Sequence, residues 1–192
     1  MNNILTVTFY GGVGSVTGAN FLLQDSNTKI LVDCGLQQGS VESYENNKRA
    51  FAYNPAEMDY LFITHAHLDH IGRVCKLVRD GFRGTIYSTP ETRELATVML
   101  ADALRVMEMK EREFTDGPKE SPLYDIKDFN QAFSLWKTIP YHTDFKINED
   151  FSVYLKDAGH ILGSSMYEFS YKGNLSTRAE YGTGQRKIVF TG

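Results

Sequence analysis

Cysteine is nearly missing from this chain: Cys34 and Cys75 are the two thiols among 192 residues. They are too few for a disulfide framework and do not form a C-x-x-C pair, which suits a reducing cytosol. Long apolar runs are missing too. No stretch approaches the roughly 20 apolar residues that a membrane-spanning helix needs. The opening Met-Asn-Asn-Ile-Leu-Thr-Val lacks the basic and apolar regions of a secretion signal. There is no surplus of positive charge. The formal net charge of −4 argues against binding nucleic acid through bulk charge, although a local basic groove is still compatible with it. Neither an internal repeat nor a low-complexity segment is present. These absences leave a soluble, cytoplasmic protein whose residues 1–192 fit one domain. Its 42% hydrophobic and 23% charged content is ordinary, and the length suffices for a sizeable core.

Strand signals come first along the chain. Ile4 to Tyr10 is β-branched and aromatic, and a glycine-rich loop follows from Gly11 to Gly18. Asn20 to Gln24 and Lys29 to Asp33 flank Asp25-Ser26-Asn27-Thr28, which predicts a hairpin. Tyr60 to Thr64 is a short apolar strand, Ile71 to Asp80 a helix closed by Gly81, and Gly84 to Thr89 another strand. Residues 91 to 113 form the longest helix candidate, with Leu95, Val98, Met99, Ala103, Val106 and Met107 recurring at helical spacing. A loop at 114 to 124 precedes a second helical stretch from Tyr124 to Trp136. Phe151 to Asp157, Ser165 to Tyr171 and Lys187 to Thr191 read as strands, with a polar loop from Lys172 to Arg186. Strands, helices, then strands again describe a layered α/β domain.

Histidine is also scarce, yet three of the five lie within six positions, in Thr64-His-Ala-His-Leu-Asp-His70. Neutral imidazoles and a carboxylate are ligands for a borderline-soft cation such as Zn²⁺. His65 and His67 are two apart, so in an extended segment both side chains leave one face. Asp69 and His70 follow on the next bend and can aim at a second position. The segment begins directly after a buried strand, where α/β sites commonly form. His160, in the turn Ala158-Gly-His-Ile-Leu-Gly-Ser164, would complete a three-histidine set with an open position for water. Asp33 ends a strand, where it either orients a metal-bound histidine through the other ring nitrogen or merely caps a turn. Gly12, Gly14 and Gly18 miss the dinucleotide fingerprint by one position and lie between two strands, so they suggest a tight loop near the site. Arg73 and Lys76 could face an anionic substrate, but a solvated helix face is the preferred reading. His142 lacks ligand-type neighbours.

Thr64-His-Ala-His-Leu-Asp-His70 is the H-x-H-x-D-H signature of metallo-β-lactamase-fold hydrolases. Gly11 to Leu23, Leu31-Val-Asp-Cys-Gly-Leu36, His70-Ile-Gly-Arg73 and Ala158 to Ser164 resemble the β-CASP branch. That branch includes the nuclease subunit of the cleavage and polyadenylation specificity factor and prokaryotic RNA-processing nucleases. The resemblance runs from about residue 4 to the last residue. It implies an αββα sandwich, with two sheets between outer helices, incomplete at the C-terminus. It further implies that His65, His67 and His160 hold one zinc, that Asp69 and His70 contribute to a second, and that Asp33 is the strand-end carboxylate nearby. The implied reaction is hydrolysis of an RNA phosphodiester by a metal-activated water, with Asp69 helping to position or deprotonate that water.

In that family a strand like Ile188-Val-Phe-Thr-Gly192 is followed by an aspartate bridging both metals. The inserted β-CASP domain and the C-terminal return, with its last histidine ligand, also lie beyond what is present here. The expectation is therefore an N-terminal portion of the family's metallo-β-lactamase domain, with RNA as the substrate of the full-length enzyme. Other hydrolases of the fold, acting on thioesters, lactams or tRNA 3′ ends, would share the histidines but not the Gly11 to Leu23 and Ala158 to Ser164 segments. A non-catalytic scaffold is the remaining class, and a homodimer is compatible with either reading. Metal analysis of the purified chain is expected to find about one zinc, with little or no ribonuclease activity. Two tightly held zincs accompanied by RNA cleavage would contradict that expectation.

Overall fold

The computed structural model describes residues 4–113, 122–172 and 186–192. The loops expected at 114–124 and 172–186 fall largely outside these residues. Six strands form one sheet in sequence order: β1 (Thr6–Gly11), β2 (Asn20–Gln24), β3 (Lys29–Val32), β4 (Tyr60–Phe62), β5 (Thr85–Ser88) and β6 (Trp136–Thr138). β1 to β3 pair antiparallel through the expected hairpin, and β3 to β6 pair parallel. The second sheet is antiparallel, ordered β10 (Arg186–Phe190), β9 (Ser165–Tyr171), β8 (Phe151–Asp157), β7 (Asp144–Lys146).

Strand periodicity divides the core in two. Leu22, Leu31, Leu61, Ile63 and Ile86 point away from the second sheet and pack beneath helices. Those helices are α3 (Val74–Arg79), α4 (Pro90–Glu113) and α5 (Ile126–Ser134), which supply Val74, Leu77, Val78, Ala96, Leu100, Leu104 and Ala132. The alternate residues Leu23, Ile30, Val32, Phe62 and Tyr87 face the other sheet. They meet Phe151, Val153 and Leu155 of β8 and Tyr167, Phe169 and Tyr171 of β9. Parallel strands covered on both faces read as continuous apolar runs, which is why Tyr60 to Ile63 shows no polar alternation. Three of the four layers of an αββα sandwich are therefore present. Among the described residues no helix covers the outer face of the four-stranded sheet, where Glu168 pairs with Lys156 and Lys187.

Several elements differ from the sequence reading. α1 (Val41–Lys48) is polar on all sides and shows no apolar stripe; its signal is Ser40, whose hydroxyl caps the Ser43 N–H. β6 and β7 are three residues each, too short for periodicity. Trp136 therefore leaves the expected helix and starts a strand, its indole N–H donating to the Ser88 hydroxyl at 2.8 Å. The helix expected over 71 to 80 is split: α2 (Leu68–Ile71) stops at Gly72 and α3 begins at Val74. Arg73 and Lys76 do not lie on a solvated helix face. Both are buried over the Phe51 ring; Arg73 donates to the Gly35 carbonyl and Lys76 pairs with Asp80.

α4 runs where periodicity places it, but its most buried stripe is shifted, with Leu95 and Met107 of the expected face packed only partly buried at its edge. Thr92, Ala96, Leu100 and Leu104 face the sheet at four-residue spacing, while Val98 and Val106 are 67% and 42% exposed. Alanines supplied too many helical registers for the apolar pattern to select one. Replacing Leu100 by Ala is therefore expected to cost about 2–5 kcal/mol of unfolding free energy. Val98→Ala should change it by less than about 0.5 kcal/mol. Urea denaturation of both variants checks this, and equal losses would restore the Val98 face to the core.

Candidate metal centre

The first half of the cluster forms where β4 ends. After Phe62 the chain passes through a bend at Ala66, and α2 starts at Leu68. Main-chain bonds clamp this bend against Ala19, just before β2, and against the segment after β3. Ala19 N–H donates to Asp69 O at 2.9 Å, Cys34 N–H to His70 O at 2.8 Å and Leu36 N–H to Leu68 O at 2.9 Å. The approach is so close that a Cβ on Gly35 would lie 1.6 Å from the Asp69 carbonyl oxygen, so only glycine fits.

The second sheet delivers His160. Ser165 N–H donates to Thr64 O at 2.8 Å and the Tyr167 hydroxyl to Ile63 O at 2.7 Å, joining β9 to the end of β4. The turn holding His160 is fixed from α4, because Thr89 and Thr92 hydroxyls both donate to Gly163 O, at 2.7 and 2.8 Å. Gly163 has a φ of +82°, and a Cβ there would lie 2.5 Å from the Thr92 nitrogen. The Ser164 hydroxyl accepts from the His160 and Ile161 N–H groups.

Three ring nitrogens converge as a result. His65 Nε2 lies 3.1 Å and His160 Nε2 3.2 Å from His67 Nδ1, and the set falls within 4.8 Å. Two nitrogens each about 2.0–2.1 Å from a tetrahedral ion sit about 3.3 Å apart. The observed 3.1 and 3.2 Å separations match that spacing, so the donor set fits a divalent metal. Beside it, His70 Nε2 and Asp69 Oδ2 lie 3.8 Å apart. Asp33 is 1% exposed with a φ of +58°, and its carboxylate accepts from the Thr64 N–H, the Thr64 hydroxyl and His70 Nδ1, each at 2.8 Å. The capping alternative for Asp33 is therefore set aside in favour of a histidine contact. A cleft of about 470 Å³ opens on the His70 side, lined by Gly12, Asp33, Thr64, His70 and the apolar Phe9, Phe21 and Ile188.

A model described as Metallo-beta-lactamase superfamily domain matches residues 22–176, which takes in every residue of this cluster. The chain belongs to that superfamily. Membership implies a divalent metal, and the His65, His67 and His160 cluster offers the ligands. Among curated relatives of this metallo-β-lactamase-fold chain, Ribonuclease TTHA0252 of Thermus thermophilus is 32% identical over 176 residues, 88% of this chain and 37% of that protein. Transcription termination factor FttA of Cenarchaeum symbiosum is 32% identical, with 98% and 27% covered. FttA of Methanosarcina mazei is 34% identical, with 97% and 26% covered. The chain thus spans about a quarter to two-fifths of the length of these relatives. Solved subclass B3 metallo-β-lactamases share the fold. BJP-1 of Bradyrhizobium japonicum matches at a TM-score of 0.54 and 16% identity over 99% of this chain and 60% of that one. MEM-A1 from a soil metagenome library matches at 0.53 and 14%, over 96% and 59%. The sequence resemblance to this superfamily therefore holds, as does its sandwich fold.

The structure brings together all six residues singled out from sequence: Asp33, His65, His67, Asp69, His70 and His160. It leaves His142 apart, exposed beside Tyr154. Cys34 and Cys75 are buried free thiols; burial pushes the Cys34 thiol up to about 11 and Cys75 higher still, so neither serves as a thiolate. Thr64 is the site residue that sequence reasoning passed over, although a hydroxyl directly before the first histidine was a visible signal.

Burial, then the neighbouring His70, His67 and His160, push His65 down to about 3. Burial alone would lower His70 as well, but the Asp33 hydrogen bond and charge outweigh it and the net shift is upward. An unfolded chain protonates His65 near 6.5 whereas the folded chain does so near 3. Its contribution to stability is thus complete above about pH 6.5 and drains away as the pH falls toward 3. The His70 contribution has the opposite sign: it is complete below its unfolded pKa and is lost as pH rises through its raised folded value. The metal-free chain is expected to lose Tm between about pH 6.5 and 5, a window above ordinary carboxylate titration. His65→Gln should flatten that slope. Thermal unfolding in chelator measures it, and a Tm that rises on acidification contradicts the assignment.

Proposed function

We propose that this site hydrolyses RNA phosphodiester bonds with zinc as its metal. The observation carrying the proposal is the convergence of His65 Nε2, His67 Nδ1 and His160 Nε2 within one ion's reach, in a chain whose relatives include a named ribonuclease. Three neutral imidazoles suit zinc better than the hard cations that prefer oxygen. Bound there, the metal supplies Lewis-acid activation of water and offsets negative charge on the phosphoryl oxygens.

The protein's own groups do the rest. Asp33 accepts a hydrogen bond from His70 Nδ1–H, which leaves the His70 Nε2 lone pair facing the second position beside Asp69. The Asp69 carboxylate, 24% exposed, can hold the attacking water in line and accept its proton. His65 remains neutral across the working range because its burial, and then the three neighbouring imidazoles, disfavour a charge there. The apolar walls of the adjoining cleft limit water around these groups.

Assays of the chain with single-stranded RNA, a thioester and a β-lactam, each with added zinc, test the reading. The expected result is slight RNA cleavage that still exceeds turnover of the two other substrates and is removed by His67→Ala or by Asp69→Asn. Preferential turnover of the lactam or thioester, or RNA cleavage unchanged in His67→Ala, overturns it.

A further inference from the structure

One buried hydroxyl joins the two halves of the site. Thr64 Oγ1 lies 2.8 Å from Asp33 Oδ2, 3.0 Å from His65 Nδ1 and 3.4 Å from His70 Nδ1. A hydroxyl has a single proton, and its destination is decided by its neighbours. Asp33 is an acceptor that already takes the Thr64 N–H on its other oxygen. If the hydroxyl proton pointed at His65, two oxygen lone pairs would face each other across 2.8 Å. The proton therefore goes to Asp33, and the Thr64 oxygen accepts from His65 Nδ1–H. His70 Nδ1 gives its proton to Asp33 directly, at the shorter distance of 2.8 Å.

This ordering has a consequence for the ligand atom. His65 with its proton on Nδ1 presents a lone pair on Nε2, the nitrogen that faces His67 Nδ1 at 3.1 Å. The opposite tautomer would put a proton where the metal belongs. We infer that Thr64 is a positioning residue for metal binding: its hydroxyl passes the Asp33 charge to His65, sets the Nδ1–H tautomer and aims Nε2 at the metal. Asp33 thereby orients one histidine of each metal position, His70 directly and His65 through Thr64. A methyl-bearing isostere keeps the shape of Thr64 and loses the acceptor, whereas serine keeps the acceptor and loses the methyl.

The inference rests on the metal reading of His65, His67 and His160, so its test separates the two. Zinc affinity is measured by competition with a chromogenic chelator for the parent chain, Thr64→Val and Thr64→Ser. The parent is expected to bind zinc, Thr64→Val to bind about 10–100-fold more weakly, and Thr64→Ser to stay within about threefold of the parent. A valine variant that binds like the parent, or a serine variant that loses as much as valine, overturns the positioning role. A parent that binds no zinc overturns the metal reading itself. Nitrogen-15 NMR of the metal-free parent gives a second measurement that needs no variant to fold. His65 is expected as the Nδ1–H tautomer at neutral pH, and finding the proton on Nε2 overturns the inference under either metal outcome.

Discussion

The carboxylate of Asp33 is the constraint on which the site depends. A buried negative charge is costly unless donors surround it. Here the donors are the Thr64 N–H, the Thr64 hydroxyl and a histidine. Charge-assisted bonds of this kind are short and strong. The parallel pairing of β3 with β4, in register from Ile30 with Tyr60 to Val32 with Phe62, brings Asp33 and Thr64 to neighbouring strand ends. Aspartate tolerates the left-handed turn needed there better than most side chains. The chain can then reverse direction with its carboxylate pointing inward, and the histidine segment folds around that charge.

The two halves of the cluster are built in different ways. Asp69 and His70 arrive together on one short helix, already clamped by main-chain bonds to the segment after β3. The three-histidine set must be assembled across both sheets. It relies on the bonds from Ser165 and Tyr167 to the end of β4 and on the threonine pair that grips Gly163 from α4. The helix layer and the second sheet thus meet at the turn that holds His160. Packing between the sheets, through Phe62, Tyr167 and Phe169, keeps this junction from opening.

Much of this was legible before the fold was known. The hairpin, the strand leading into the histidines and the β8 and β9 strands follow from alternation and turn chemistry, and the ligand types stand close together in the chain. The placement of His160 relied on resemblance and donor chemistry, since a lone histidine in a turn carries no periodic signal. What stayed hidden has physical causes. Three-residue strands such as β6 and β7 cannot display a period. α1 has no apolar face to betray it. The α4 register was blurred by residues of similar hydropathy on several sides. The burial of Lys76 is invisible in sequence because the Phe51 ring that covers it becomes a neighbour only in three dimensions. Thr64 was hidden for a related reason: its importance lies in whose protons it exchanges.

The separation of His67 from His160 along the chain, 93 positions, also orders events in time. Contacts between residues so distant carry a large loop-closure entropy and form late. A newly made or partly unfolded chain offers cations only the local run from His65 to His70. The three-cornered grip appears once the second sheet has docked, so tight capture of a metal ion marks the end of folding, and separation of the sheets releases the ion before the helical layer need come apart.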